Sequence, residues 1–227
     1  MKIHTTFNNG KSRFCGRLFL QARWALLTSP IKKGGTNMKK ARFPALFALG
    51  LAVLSSFAWA DDQLWEKLRT EPNLIVLMRH AHSGGGRPLT WDESGNCRGE
   101  LRLTQEGKAL AHKIGEAFAS RGIKPAVISS PMCRCLETAR IAFDAQPATD
   151  PDLRETASAD SERIQTFENK ARSLIASKRG SVPVVFVSHR PNIDQLTMEL
   201  VDEGDLLVGR INETGEIDVL GKITLGP

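Results

Sequence analysis

Four side chains that can act together on a phosphoryl group stand at three separate places in the sequence: the pair Arg79-His80, then Arg134, then His189. A neutral imidazole is a nucleophile toward phosphorus. It would form a phosphohistidine that water later hydrolyses, dividing one difficult displacement into two easier ones. Guanidinium groups suit the charge that must be held through both steps, because their planar forks donate paired hydrogen bonds to phosphate oxygens. His189 can donate to the same oxygens, so such a set would work by positioning and electrostatics.

Other chemistry-bearing residues fit less well. His80-x-His82 after an apolar run is a spacing that zinc enzymes use. The chain holds five histidines in all and is short of the roughly 250 residues of the barrel in which that pair is common. A zinc-dependent hydrolase using His80 and His82 is the alternative from another mechanistic class, and a catalytically inert phosphate or glycan binder is a second. Gly84-Gly85-Gly86 has no Gly-Lys-Ser/Thr after it and so is no nucleotide loop; its value is backbone freedom. None of the cysteines begins a Cys-x5-Arg signature, which argues against a thiolate nucleophile. His112 reads as an exposed or structural helix residue.

The elements that must position these groups alternate in type. Leu74 to Met78 and Val182 to Val187 are continuous apolar runs, the mark of strands buried on both faces. They end in Arg79-His80 and Ser188-His189. Helices are predicted for a short segment after Asp61 and Asp62, for about Thr104 to Arg121 with Gly122 as the stop, for Pro131 to Phe143 behind a Ser130 cap, for Asp160 to Ser177, and from Pro191. A short strand is predicted at Ala126 to Ser129, and a hairpin at Leu206 to Ile211 and Ile217 to Leu225 closes the sheet edge. The pattern implies an α/β fold, three-layer α/β/α with a mostly parallel central sheet. Ligands of such sheets bind at the carboxyl ends of the strands, where both histidines fall.

The net charge of +6 at 227 residues suggests anionic partners until it is mapped. Of the 31 Lys and Arg, ten precede Asp61 in a stretch without acids, leaving 21 basic against 25 acidic residues from Asp61 onward. That removes the case for nucleic acid. From Met38 the sequence reads as a secretory leader: Lys39, Lys40 and Arg42, then Phe43 to Ala58, then Ala58-Trp59-Ala60 as a small-x-small cleavage signal. The apolar stretch contains Pro44 and Gly50 and is short of the roughly 20 residues a membrane span needs. The expected organisation is therefore an upstream extension over 1–37, a signal peptide over 38–60, and one exported domain over 61–227, without a stable membrane span. In an oxidising compartment Cys97, Cys133 and Cys135 should give one bridge and one leftover. Cys133 and Cys135 lie two apart on the predicted helix and point to different sides, so Cys97 paired with one of them is expected.

Leu77-Met78-Arg79-His80-Ala81 resembles the Arg-His-Gly/Ala signature of the histidine phosphatase superfamily, also called phosphoglycerate-mutase-like. Ser129-Ser130-Pro131-Met132-Cys133-Arg134-Cys135-Leu136-Glu137-Thr138-Ala139 is similar to its second motif, and Val187-Ser188-His189 to its third. The resemblance implies a metal-free, cofactor-free monophosphatase in which His80 is phosphorylated, Arg79 and Arg134 clamp the phosphate, and His189 completes the pocket. It implies Glu155, in Leu153-Arg154-Glu155, as the acid that protonates the leaving group, with Asp152 as the fallback, and His82 and Ser83 at the pocket rim. The leader, the short first helix, Asn96-Cys97, and Leu103-Thr104 with Gly107 resemble the periplasmic lipopolysaccharide core heptose(II)-phosphate phosphatase group. A small phosphorylated substrate is expected: such a sugar phosphate, another one, or a phosphohistidine protein. Mutase activity is disfavoured, because an exported enzyme has little access to phosphoglycerates.

Overall fold

The computed structural model describes residues 61–225; the expected extension over 1–37 and leader over 38–60 lie outside the described residues. Helix α1 (61–70) comes first, then strand β1 (Leu74–Arg79), the two-residue strands β2 (Ser83–Gly84) and β3 (Arg102–Leu103), and helix α2 (Gln105–Ala119). Strand β4 (Ala126–Ser129), helix α3 (Cys133–Phe143), strand β5 (Ala148–Thr149), a 3-10 turn at Pro151–Leu153 and helix α4 (Ser161–Ala176) follow. The chain ends in β6 (Val184–Ser188), α5 (Arg190–Thr197), β7 (Asp205–Ile211) and β8 (Ile217–Thr224).

The main sheet has the order β5-β4-β6-β1-β7-β8. The first four strands run parallel, and β7 and β8 add an antiparallel hairpin at the edge. Side chains alternate across it as strand geometry requires. Leu74, Val76 and Met78 of β1 face a core with Leu68, Ile114, Phe118 and Ala139 from α1, α2 and α3. Ile75 and Leu77 face the other core, with Phe167, Ile175 and Ile193 from α4 and α5. These are the three layers expected. Phe118 packs edge-to-face on Trp65 at 5.0 Å and on Phe143 at 5.2 Å, pinning the first three helices together; such pairs contribute about 0.5–1.5 kcal/mol each beyond area burial.

Register decides where the chemistry falls. Arg79 pairs with Ser188 across the β1–β6 ladder, and Ser129 with Val187 across β4–β6. The ladders continue one step past the strands: the His80 N–H donates to the Ser188 carbonyl at 2.9 Å and the Ser130 N–H to the Val187 carbonyl at 3.0 Å. Positions 80, 130 and 189, far apart in sequence, thus leave the sheet side by side.

Two sequence expectations change. Helix α3 starts at Cys133 rather than Pro131, and its N-cap is Met132, without a side-chain cap bond. The Ser130 N–H is held in the strand ladder, and its hydroxyl accepts from the Met132 N–H at 3.3 Å, ahead of the helix rather than in its first turn. The two-residue strands and the 3-10 turn carry too few residues for any periodic signal. Thr104 caps α2 by accepting from the Gly107 N–H at 3.1 Å, and Gly122, at φ +69°, lies just past its end, as expected.

Gly107 lets α2 lie directly on the loop after β1: a Cβ there would fall 2.0 Å from the His82 carbonyl oxygen. Gly107→Ala should therefore lower stability by about 1–3 kcal/mol, read as an earlier chemical-unfolding midpoint at unchanged m-value. At Gly180, where an added Cβ meets open space, the same substitution should stay within about 0.5 kcal/mol of neutral.

Candidate active site

Arg134 is the hub of the site. Its side chain is almost completely buried, at 1% exposure, in the first turn of α3. Its Nε–H donates to His80 Nε2 at 3.1 Å. Its Nη2 donates to Glu155 Oε2 at 2.5 Å and faces His189 Nδ1 at 3.1 Å. Nη1 is buried and has no hydrogen-bond partner among the described residues. A buried guanidinium with donors to spare is chemically able to bind the oxygens of an anion.

The His80 ring is fixed in one orientation. Nδ1 lies 2.9 Å from the Ala81 carbonyl, which can only accept, so Nδ1 carries the proton and Nε2 presents its lone pair. Burial pushes the His80 pKa down to about 4; the Ala81 bond opposes this, and the Arg134 charge adds to it. The imidazole is thus neutral, as a nucleophile must be. The two histidine rings stand edge-to-face with centroids 5.4 Å apart. Burial first, then the charge of Arg134, holds His189 well below the ordinary histidine value. Glu155 shifts the opposite way: burial raises its pKa although the Arg134 and Arg79 charges oppose that.

The sequence-predicted residues divide into those that converge and those that border. His80, Arg134, Glu155 and His189 are joined by direct bonds. Arg79 sits beside them with its guanidinium 3.3 Å from Glu203, and its charge is felt at His80, Glu155 and His189. His82 turns its Nδ1 to the Thr104 hydroxyl at 2.8 Å, and Ser83 pairs with Leu103 in the β2–β3 ribbon. Asp152 lies in the 3-10 turn, where its charge is felt by Arg163 and Lys170 rather than by Arg134. The carboxylate that reaches the hub is therefore that of Glu155. Cys97 is bonded to Cys133, and Cys135 is free and buried.

Several supports were invisible in the sequence. Glu100 caps α3 from a distance, its Oε2 accepting from the Cys133 N–H at 2.7 Å. The first-turn anion at that N–H is thus a side chain of the protein. Asn192 holds the Glu155 segment by accepting from the Thr156 N–H at 2.9 Å and donating to the Arg154 carbonyl at 2.9 Å. Thr138 bridges the loop to the helix, accepting from the Ala81 N–H at 3.1 Å and donating to the Arg134 carbonyl at 2.7 Å. Only Thr138 gave a signal, as part of the Thr-Ala pair in the second motif. At the rim, Arg154 stacks over Trp91 at 4.4 Å, closing the 85–100 loop against the segment that carries Glu155.

A neutral imidazole, a buried guanidinium, a second histidine and a carboxyl group stand together at the carboxyl ends of parallel strands, an arrangement chemically able to transfer a phosphoryl group through histidine. Residues 75–180 match the model of the Histidine phosphatase superfamily (branch 1). Among solved structures it is similar to the protein histidine phosphatase SixA complexed with tungstate, with 15% identity over 66% of this chain and 96% of that one and a TM-score of 0.49. It is also similar to the putative phosphohistidine phosphatase SixA of Agrobacterium tumefaciens, with 21% identity over 68% and 99% and a TM-score of 0.46. For the alpha-ribazole phosphatase of Shigella flexneri the figures are 16%, 64% and 94%, and 0.48. None of the curated proteins matches the chain.

The His80 ring should remain neutral down to about pH 4. An NMR titration of its nitrogens checks this, and a midpoint near the ordinary value of about 6.5 would contradict the burial that sets it.

Proposed function

We propose that the chain is an exported phosphomonoesterase that works through a phosphohistidine on His80. The observation that supports this best is the 3.1 Å contact between the Arg134 Nε–H and His80 Nε2, with Glu155 on the same guanidinium. In this reading the Glu155 carboxylate stands where a phosphoryl oxygen must go. The substrate displaces it, and the phosphoryl oxygens take up the Nη1 and Nη2 hydrogens.

Nε2 then attacks phosphorus in line with the ester oxygen; the N–P bond forms as the P–O bond breaks. Glu155, once displaced from Arg134 and set beside a phosphoryl dianion while partly desolvated, takes up a proton from water and gives it to the leaving oxygen. Water attacks the phosphohistidine in the second step, with Glu155 taking its proton, and phosphate leaves. Arg79 adds charge at the edge once it is turned from Glu203. The zinc alternative has no matching donor set, because no group of three His, Cys, Asp or Glu among the described residues is arranged to hold a metal.

The expected site of action is the periplasm after cleavage before Asp61, and the substrate class is a lipopolysaccharide core heptose phosphate or another sugar phosphate. Among the described residues no helix is long and apolar enough to cross a membrane. N-terminal sequencing of the protein from a periplasmic fraction tests the export reading. A panel of core heptose phosphates, soluble sugar phosphates and phosphohistidine peptides tests the substrate class, with hydrolysis of the peptides alone favouring a protein phosphatase.

His80→Ala should abolish turnover and the acid-labile phosphoenzyme caught on rapid quench. Arg134→Ala should cost about 10²–10³-fold in kcat/KM; an inert wild-type protein that still binds phosphate would mean a binding module.

The pH profile should be bell-shaped. Its acid limb falls as His80 gains a proton near pH 4, and its alkaline limb falls as Glu155, whose pKa is raised, loses one. Glu155→Gln should remove the alkaline limb. It should cost about 10²–10⁴-fold on alkyl phosphates and little on a nitrophenyl ester, whose leaving group needs no proton.

A further inference from the structure

His189 is enclosed by groups that fix which of its nitrogens carries the proton. Arg134 Nη2 faces Nδ1 at 3.1 Å. A guanidinium can only donate, so Nδ1 accepts there. The proton of the neutral ring then lies on Nε2, which is 2.8 Å from the Ser130 hydroxyl oxygen. Ser130 is fully buried and also accepts from the Met132 N–H at 3.3 Å. Its own hydrogen is free to reach the Cys135 thiol, which lies 3.6 Å from His189 Nε2.

This arrangement conflicts with phosphate binding. When Glu155 gives way and phosphoryl oxygens take the Arg134 donors, Nδ1 would point its lone pair at a phosphoryl oxygen. The ring must present N–H on that side. Gaining a second proton would place an imidazolium in a fully buried pocket beside two arginines, and burial opposes it. Exchanging tautomers costs no charge, provided the group at Nε2 can change from acceptor to donor. A hydroxyl does this by rotating about its Cβ–Oγ bond; an amide, carbonyl or ammonium cannot.

We infer that Ser130 is the tautomer-selecting positioning residue of His189: its hydroxyl accepts from Nε2–H while Nδ1 faces Arg134, and donates to Nε2 when Nδ1–H faces a bound phosphoryl group. The ring loses one proton from Nε2 and gains one on Nδ1, both exchanged with water while Glu155 is displaced, so no net proton is taken up. Cys135 accepts from Ser130 in the first arrangement and loses that donor in the second, while its thiol donates to the Ser188 carbonyl, 3.6 Å away. The strand register supplies the geometry, since Ser130 leaves β4 level with Ser188, one residue before His189 leaves the adjacent parallel strand β6.

The inference rests on the phosphatase reading, and one experiment separates the two. The full chain labelled with 15N-histidine is titrated with inorganic phosphate and the ring nitrogens of His80 and His189 are followed. The expected result is that His189 changes from Nε2-protonated to Nδ1-protonated as phosphate saturates. A shift at His80 with His189 remaining Nε2-protonated, or becoming protonated on both nitrogens, overturns the inference and leaves the phosphatase reading intact. No response at either ring overturns both. In Ser130→Ala the expected outcome is that His189 stays Nε2-protonated at saturating phosphate, and that kcat/KM falls about tenfold to a hundredfold, the cost of one unmet buried hydrogen bond. Wild-type turnover in that variant would also overturn it.

Discussion

A guanidinium at 1% exposure is the constraint around which the rest is arranged. Removing a charge from water is costly unless its hydrogen bonds are met, and Arg134 is met on three sides by His80, His189 and Glu155. Its remaining buried donors at Nη1 have no hydrogen-bond partner among the described residues. The same charge adds to burial in lowering both histidines, and it opposes the rise at Glu155 without cancelling it. Burial moves the two histidines toward their neutral forms and Glu155 toward its protonated form, and the guanidinium aids the first shift while opposing the second.

The position of that guanidinium depends on the sheet. Strands β1, β4 and β6 are in register at their carboxyl ends, so a ladder of backbone hydrogen bonds aligns residues 80, 130 and 189 before any side chain is considered. Helix α3 then brings Arg134 across the top, tied by Thr138 to the loop after β1 and by Glu100 to the 85–100 loop.

Much of this was legible in the sequence. The strands at Leu74 and Val184 announce themselves as apolar runs, and the residues that follow each run are the ones that converge. The helix limits at Thr104 and Asp160 follow from side-chain caps, which the structure confirms. What was not legible depends on distance in space. Glu100 and Glu203 look like ordinary loop carboxylates until the fold brings one to the Cys133 N–H and the other to Arg79. Ser130 read as a helix cap because Ser-Pro usually is one; strand pairing claimed its backbone and His189 its hydroxyl. The bridge could be narrowed to Cys97 with one of two partners, and only the direction in which α3 presents Cys133 and Cys135 decides between them.

That choice affects how durable the molecule is. The Cys97–Cys133 bond spans 36 residues and fastens the rim of the site to the first turn of α3. The remaining thiol, Cys135, lies two residues away, fully buried, with burial pushing its pKa up to about 12. Thiol–disulfide exchange requires an accessible thiolate, and this sulfur is neither accessible nor ionised. The odd cysteine is therefore silent in disulfide exchange: the fold keeps a potential attacker beside its own bridge and denies it the charge and the approach it would need to scramble the pairing.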